Sequence, residues 1–275
     1  MIKEFQKYLL KIKGYSENTV TAYGKDLVDF VHYAHASSTT ATWRTITEKD
    51  VQDYVVAMVG RGLTATTIKR RISAIRGLYD FMKWQGLTTE NPARYTQTPK
   101  AAKRLPNTIE TSAILTAISD AMVPLKTRTQ LALLLETGMR LQEMLDTETR
   151  DINTEQHSIR VMGKGQKERM VYYGELTAGL LDRYLGNRQG RLFSDNQRTT
   201  RYEIHTALAP YTQARQVSPH AIRHTFATQM LNNGADIKAI GELLGHESVQ
   251  TTERYAHLSQ VAIRETYNHY SPINK

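Results

Sequence analysis

Between Asn91 and Pro106 the chain offers no apolar face to any neighbour. The stretch, with TPKAAKRLP in it, has prolines at both ends, four cations and no hydrophobic period. Such a segment cannot bury itself in a core, so it reads as a basic linker between separately folding pieces. The 275 residues then divide into an expected first domain over 1–97, a linker over 98–106 and a second domain over 107–275. Each domain is long enough for its own core.

The first hundred residues read as five helices, four of which can be bounded. Ile2, Phe5, Leu9 and Ile12 follow helical spacing and stop at Gly14. Ser16 is placed to cap a helix with Val20, Tyr23, Leu27, Phe30 and Val31 on its apolar face. Thr47 and Asp50 form a capping-box pattern ahead of Val51, Tyr54, Val55 and Met58. Thr64 opens the next helix, with Ile68, Ile72, Ile75, Tyr79 and Met82 along one side. In the second piece, helices are expected near 108–121, 125–137, 176–186 and 199–211, from Ser218-Pro219 to Asn233-Gly234, and from Asp236 to Gly245. The alternating runs 158–162 and 168–173 flank Gly163-Lys164-Gly165 as a strand, turn and strand. The fold class is therefore mainly α with a small antiparallel β-sheet in the C-terminal domain.

Charge narrows the choice of partner. Residues 61–104 hold ten basic and two acidic side chains, whereas the segments on either side are nearly balanced. Lys69, Arg76 and Lys83 recur every seven residues, and two helical turns take about 7.2 residues, so they form one row. With Arg70 and Arg71 this row suits a phosphate backbone. The chain has no cysteine, which excludes disulfides, thiol catalysis and Cys-based metal sites. No apolar run reaches the roughly 18 residues of a membrane helix, and MIKEFQKYLLKIKG is too charged for a signal peptide. A cytoplasmic protein without membrane partners is expected.

The chemistry-bearing residues lie at element boundaries. They are Arg140 after Thr137-Gly138, Lys164 in the glycine turn, His220 and Arg223 at a helix start, His246 after Leu244-Gly245, and Tyr255. His220 and His224 have the spacing of a metal pair, but Arg223 places a positive charge between them. His246-Glu247 lacks the second ligand of an HExxH motif because position 250 is Gln250. No phosphate-binding glycine loop occurs. Taken together, two arginines, a lysine, two histidines and a tyrosine form the set that metal-free phosphodiester cleavage requires: forked cations, a proton donor and a nucleophile. A phosphotyrosine would keep the bond energy for rejoining without ATP.

Several separated words resemble the tyrosine recombinase, or phage integrase, family and its short Xer-like type. They are Thr137-Gly138-Met139-Arg140 with Glu143; Gly163 through Arg169; His220-Ala221-Ile222-Arg223-His224; and Leu243-Leu244-Gly245-His246 running to Tyr255. In the first piece Gly14 through Thr19, Arg70 through Arg76 and Asn91-Pro92 are similar to the family's core-binding domain. Met139 replaces the commoner leucine, a swap of similar volume. The resemblance implies a two-domain DNA clamp, with a SAM-like helical core-binding domain and a catalytic domain. It further implies that Arg140 and Arg223 grip the scissile phosphate, Lys164 is the general acid, and His220 helps take the tyrosine proton. His246 would hydrogen-bond the phosphate, Glu143 would support the arginine, and Tyr255 would be the nucleophile of a 3′-phosphotyrosyl intermediate. No metal or other cofactor is implied. The implied partner is double-stranded DNA with a short inverted-repeat-type site, bound by a homotetramer or heterotetramer with room for an accessory protein. The tail with Leu258, Val261, Ile263 and Tyr267 would dock on a neighbouring protomer. Strand exchange through a Holliday junction, in integration, excision or resolution, is the implied reaction. A type IB topoisomerase-like enzyme and a non-catalytic DNA-binding regulator are the rival readings.

Overall fold

The computed structural model describes residues 1–38, 42–100, 108–163, 167–214, 216–245 and 267–272. The chain forms two compact units, Met1–Arg104 and Leu105–Lys275. No helix among the described residues is long and apolar enough to cross a membrane.

The first unit is built from α1 (Ile2–Lys11), α2 (Glu17–Ser37), α3 (Glu48–Gly60) and α4 (Ala65–Trp84). Its starts follow from side-chain caps: the hydroxyls of Ser16, Thr47 and Thr64 each accept the backbone N–H three residues on, satisfying donors that a helix start leaves open. Asp50 completes the capping box by accepting the N–H of Thr47 at 2.8 Å. Ile68, Ile72, Ile75, Tyr79 and Met82 are all buried, and each such side chain contributes about 1.5–3 kcal/mol. They pack with Phe5, Leu27, Phe30 and Tyr54 in one core. Two expectations are corrected. Among the described residues this unit has four helices and not five, because after α4 the chain is held in turns by Asn91, whose side chain bonds Asp80 and the carbonyl of Arg76. Ile12 lies beyond the last turn of α1 and is 71% exposed.

The second unit comprises α5 (Thr111–Ser119), α6 (Leu125–Thr137), α7 (Leu141–Asp146), β1 (Ile152–Asn153), β2 (Ser158–Met162), β3 (Glu168–Tyr172), α8 (Glu175–Leu185), α9 (Gln197–Leu208), α10 (Pro219–Asn232) and α11 (Ile237–Leu244). The strands form an antiparallel sheet in the order β1-β2-β3, with Ile159 opposite Val171. Ile159, Val161 and Val171 face the core, while Arg160 and Met162 are exposed, the alternation expected of a one-sided sheet. α6 is the central helix, buried on nearly all sides from Thr127 to Thr137. A second cluster of Tyr172, Phe226, Met230, Ile240, Leu243 and Leu244 receives Tyr267. Residues 267–272 are thus seated on their own unit, and Asn233 Nδ2 donates to the carbonyl of Tyr270 at 3.2 Å; Leu258, Val261 and Ile263 lie outside the described residues.

Candidate active site

The site begins where α6 ends. Gly138 adopts φ +60°, and a Cβ there would lie 2.4 Å from Phe226 Cδ1 and 2.9 Å from Leu244 Cδ2. Only glycine meets both the left-handed turn and the close packing. The turn delivers Arg140 to the start of α7, where its backbone N–H donates to Glu143 Oε2 at 2.7 Å. The same carboxylate binds the Arg140 guanidinium at 2.7 Å through Oε1.

α10 supplies the second arginine. Ser218 caps the helix and Pro219 occupies its first turn, so His220 and Arg223 project from the start of the helix. Arg223 is 5% exposed. Burial first, and then the neighbouring Arg140, pull its pKa down to about 10, so it stays charged at neutral pH. His220 packs edge-on against His224 at 4.4 Å between ring centroids. Burial, with His224, Arg223 and Arg140 nearby, lowers the His220 pKa below that of free imidazole. A neutral imidazole beside two guanidinium groups can accept a proton.

Three arginines meet three consecutive carbonyls at the end of α11. Arg169 Nε donates to Leu243 O at 3.0 Å, Arg223 to Leu244 O at 2.6 Å, and Arg140 to Gly245 O at 2.9 Å. These carbonyls close a helix and carry its partial negative charge, so guanidinium donors satisfy them twice over, by hydrogen bonding and by charge. Arg223 also donates to Gly138 O at 2.7 Å. The comb brings Arg140 and Arg223 side by side although they are far apart in sequence.

Glu143, only 6% exposed, balances the charge. Burial alone would raise its pKa, but the two-bond fork of Arg169, at 3.0 and 2.8 Å, together with Arg140 holds the carboxyl below its ordinary value. Arg169 closes the Gly163–Arg169 word, which by itself gives the residue no role. The usable signal was its strand position: Arg169 shares a face with buried Val171, and a charge on a core-facing position demands a buried counter-charge.

Arg140, His220 and Arg223 line one groove of about 430 Å³ together with Gln142, Gln197 and Arg201. Arg140 keeps a 39% exposed side chain, so its remaining donors reach the groove. Lys164, His246 and Tyr255 lie outside the described residues, as do Leu258, Val261 and Ile263. The hairpin root is described: the N–H of Gly163 donates to Lys167 O at 2.8 Å.

In the first unit, Lys69 and Lys83 are exposed. The arginines of the same helix are engaged internally. Arg70 pairs with Asp26, and Arg71 binds Tyr54 Oη at 2.9 Å and Asp29 at 2.8 Å. Arg76 donates to the carbonyl of Ala93 at 3.1 Å.

Comparison with known proteins follows the same two units. Residues 105–261 match the phage integrase family, and residues 2–86 match the phage integrase N-terminal SAM-like domain. Tyrosine recombinase XerC of Listeria monocytogenes serotype 4b is 32% identical, with 98% of this chain and 97% of the relative aligned. Tyrosine recombinase XerD of Oceanobacillus iheyensis is 29% identical, with 98% of each chain aligned. Two solved structures share the fold. The Tn1549 transposon integrase in complex with transposon right end DNA gives a TM-score of 0.73 at 18% identity, covering 96% of this chain and 97% of the other. XerH bound to a palindromic difH substrate, in a post-cleavage complex, gives 0.72 at 20% identity, covering 98% and 84%.

Proposed function

Because the chain belongs to the phage integrase family, and so is a tyrosine recombinase that cleaves and rejoins DNA at specific sites, we propose that Arg140 and Arg223 form the clamp for its scissile phosphate. The observation that carries this assignment is the convergence of both guanidinium groups on adjacent carbonyls, Gly245 and Leu244. Arg223 is buried and doubly anchored, Arg140 is half-exposed, and together they offer forked donors to two nonbridging oxygens. As the Tyr255 phenol attacks phosphorus, negative charge grows on those oxygens, and donors fixed in advance stabilise it without reorganising.

His220, whose pKa is lowered by burial and then by the neighbouring His224, Arg223 and Arg140, accepts the phenol proton. Lys164 on the β2–β3 turn gives a proton to the departing 5′ oxygen, and His246 donates to the phosphate. The 3′-phosphotyrosyl bond then retains the energy of the broken phosphodiester, and a 5′ hydroxyl from the partner strand attacks it to rejoin. Glu143 orients Arg140 by holding both its backbone N–H and its guanidinium.

The partner is duplex DNA, as in the complexes of the Tn1549 integrase and XerH. The exposed Lys69 and Lys83 add phosphate contacts, whereas Arg70, Arg71 and Arg76 are held by Asp26, Asp29, Tyr54 and the Ala93 carbonyl, so affinity falls with salt through the lysines. Site exchange is carried out by four protomers on two sites. The test is a supercoiled plasmid with two marked copies of a site selected by the protein. Exchange between the copies, unaffected by EDTA, is expected. Relaxation without exchange would identify a topoisomerase, and binding without cleavage a regulator.

A further inference from the structure

We propose that Arg169 is a positioning residue for strand cleavage, holding Glu143 in a two-bond fork so that the carboxylate orients Arg140 without neutralising it. The inference rests on the reading of Arg140 as a phosphate ligand.

The donors of Arg169 face inward. Its Nε is on Leu243 O, and its two terminal nitrogens are on the two oxygens of Glu143. The side chain is 14% exposed. It therefore acts on a phosphate through another group. Arg140 is arranged differently: one terminal nitrogen meets Glu143, the other meets Gly245 O, and the side chain remains 39% exposed.

The carboxylate between them is saturated. Glu143 Oε1 accepts from Arg140 and Arg169, and Oε2 accepts from the Arg140 backbone N–H and Arg169. Four bonds fill the roughly four acceptor directions of a carboxylate. With two cations on one anion, the trio keeps a net positive charge for the phosphate. Without Arg169, a buried anion retains one cationic partner, Arg140. The pair then cancels, and the guanidinium turns toward the vacated carboxylate positions.

Arg169 also joins three chain segments that carry proposed catalytic groups. It lies in β3, next but one to Lys167, whose carbonyl closes the root of the Lys164 turn. Through Glu143 it reaches the start of α7, and through Leu243 O the end of α11. Its guanidinium packs on Gly245, where a Cβ would lie 3.1 Å from one terminal nitrogen and 3.2 Å from Cζ. The positive φ of Gly245, +63°, and this packing require glycine immediately before His246.

The test uses the full chain and a duplex selected from a random-sequence pool by the purified protein, nicked beside the cleavage point so that rejoining is blocked. Binding and the rate of covalent-complex formation are measured for wild type, Arg169→Ala, Arg169→Lys, Arg140→Ala and the Arg140→Ala, Arg169→Ala double variant. A displacement of about 1 Å at a reacting centre costs on the order of 100-fold. Arg169→Ala is expected to cleave about 100-fold more slowly with binding within about threefold. Arg169→Lys, which keeps the charge and loses the fork, recovers part of the rate. Adding Arg169→Ala to Arg140→Ala is expected to change the rate less than about threefold, because the missing group acted through Arg140. Wild-type cleavage by Arg169→Ala, or losses that multiply in the double variant, would overturn the proposal. Should Arg169→Ala fail to fold, the same cycle with Arg169→Lys decides, and multiplied losses again overturn it. Failure of wild type to form a covalent complex would instead overturn the functional reading.

Discussion

Replacing Gly138 with alanine tests the geometry at the root of the site. The new methyl carbon would sit 2.4 Å from Phe226 Cδ1, 2.8 Å from Phe226 Cε1 and 2.9 Å from Leu244 Cδ2. Both neighbours are buried in a packed cluster, and overpacking of that kind costs about 1–3 kcal/mol. The backbone adds about 1–2 kcal/mol, because φ of +60° crowds an L side chain. The expected loss is about 2–5 kcal/mol, against a typical domain stability of about 5–15 kcal/mol. In a unit of this size each kcal/mol lowers Tm by about 2–4 °C, for a total of roughly 4–20 °C. The clash also moves Leu244, whose carbonyl holds Arg223, so cleavage of the nicked duplex should fall more than binding does. Thermal unfolding followed by circular dichroism, with cleavage assayed well below the lowered Tm, checks both parts. A loss under about 0.5 kcal/mol, the range of neutral surface changes, would refute the packing argument.

Three further outcomes are expected. The pKa of His220 lies below 6.5, the ordinary imidazole value, so the neutral base persists as pH falls through that value and the cleavage rate is lost only at lower pH. The His220→Gln variant should lower the rate by on the order of 100-fold and remove that limb of the pH profile, whereas a limb unchanged in the variant would contradict the assignment. Glu136 is fully buried and burial raises its pKa. Its ionisation therefore destabilises the fold as pH rises through the unfolded value toward the folded one, and Glu136→Gln should gain stability at pH 7 but not in acid, where both states are protonated. Equal urea midpoint shifts at both pH values would contradict this. Tyr267→Ala removes a side chain that is 2% exposed, and the loss of about 3–5 kcal/mol of packing should release residues 267–272 to limited proteolysis. Unchanged protection would show that residues 267–272 are not held on their own unit by Tyr267.

Much of the scaffold is legible from short-range signals. The α4 stripe from Ile68 to Met82, the caps at Ser16, Thr47, Thr64 and Ser218, and the stops at Gly138 and Gly245 all act within one or two turns. The alternation in β2 and β3 likewise gave the hairpin. What local pattern could not reveal depends on distant partners. α7 has six residues, too few to display a helical period, and β1 has two. The basic side chains of α4 read as free cations, yet Asp26, Asp29 and Tyr54 on other helices engage Arg70 and Arg71, and within the seven-residue row Arg76 is held by the Ala93 carbonyl while Lys69 and Lys83 stay exposed. Arg169 and Glu143 are similarly separated in sequence, and their fork exists only once β3 lies against α7. The motif words locate Arg140 and Arg223, but the three consecutive carbonyls that align them belong to the tertiary structure.

The proposed reaction centres on one phosphate, gripped by Arg140 and Arg223 and attacked by the Tyr255 phenol. The direct measurement is to trap the covalent complex on the nicked duplex in the presence of EDTA, digest protein and DNA, and map the linkage by mass spectrometry. The expected product is a single nucleotide joined through its 3′ phosphate to Tyr255, absent from Tyr255→Phe and sharply reduced in Arg140→Ala and Arg223→Ala. A linkage at another residue, a 5′ linkage, or cut DNA with no attached peptide would contradict it.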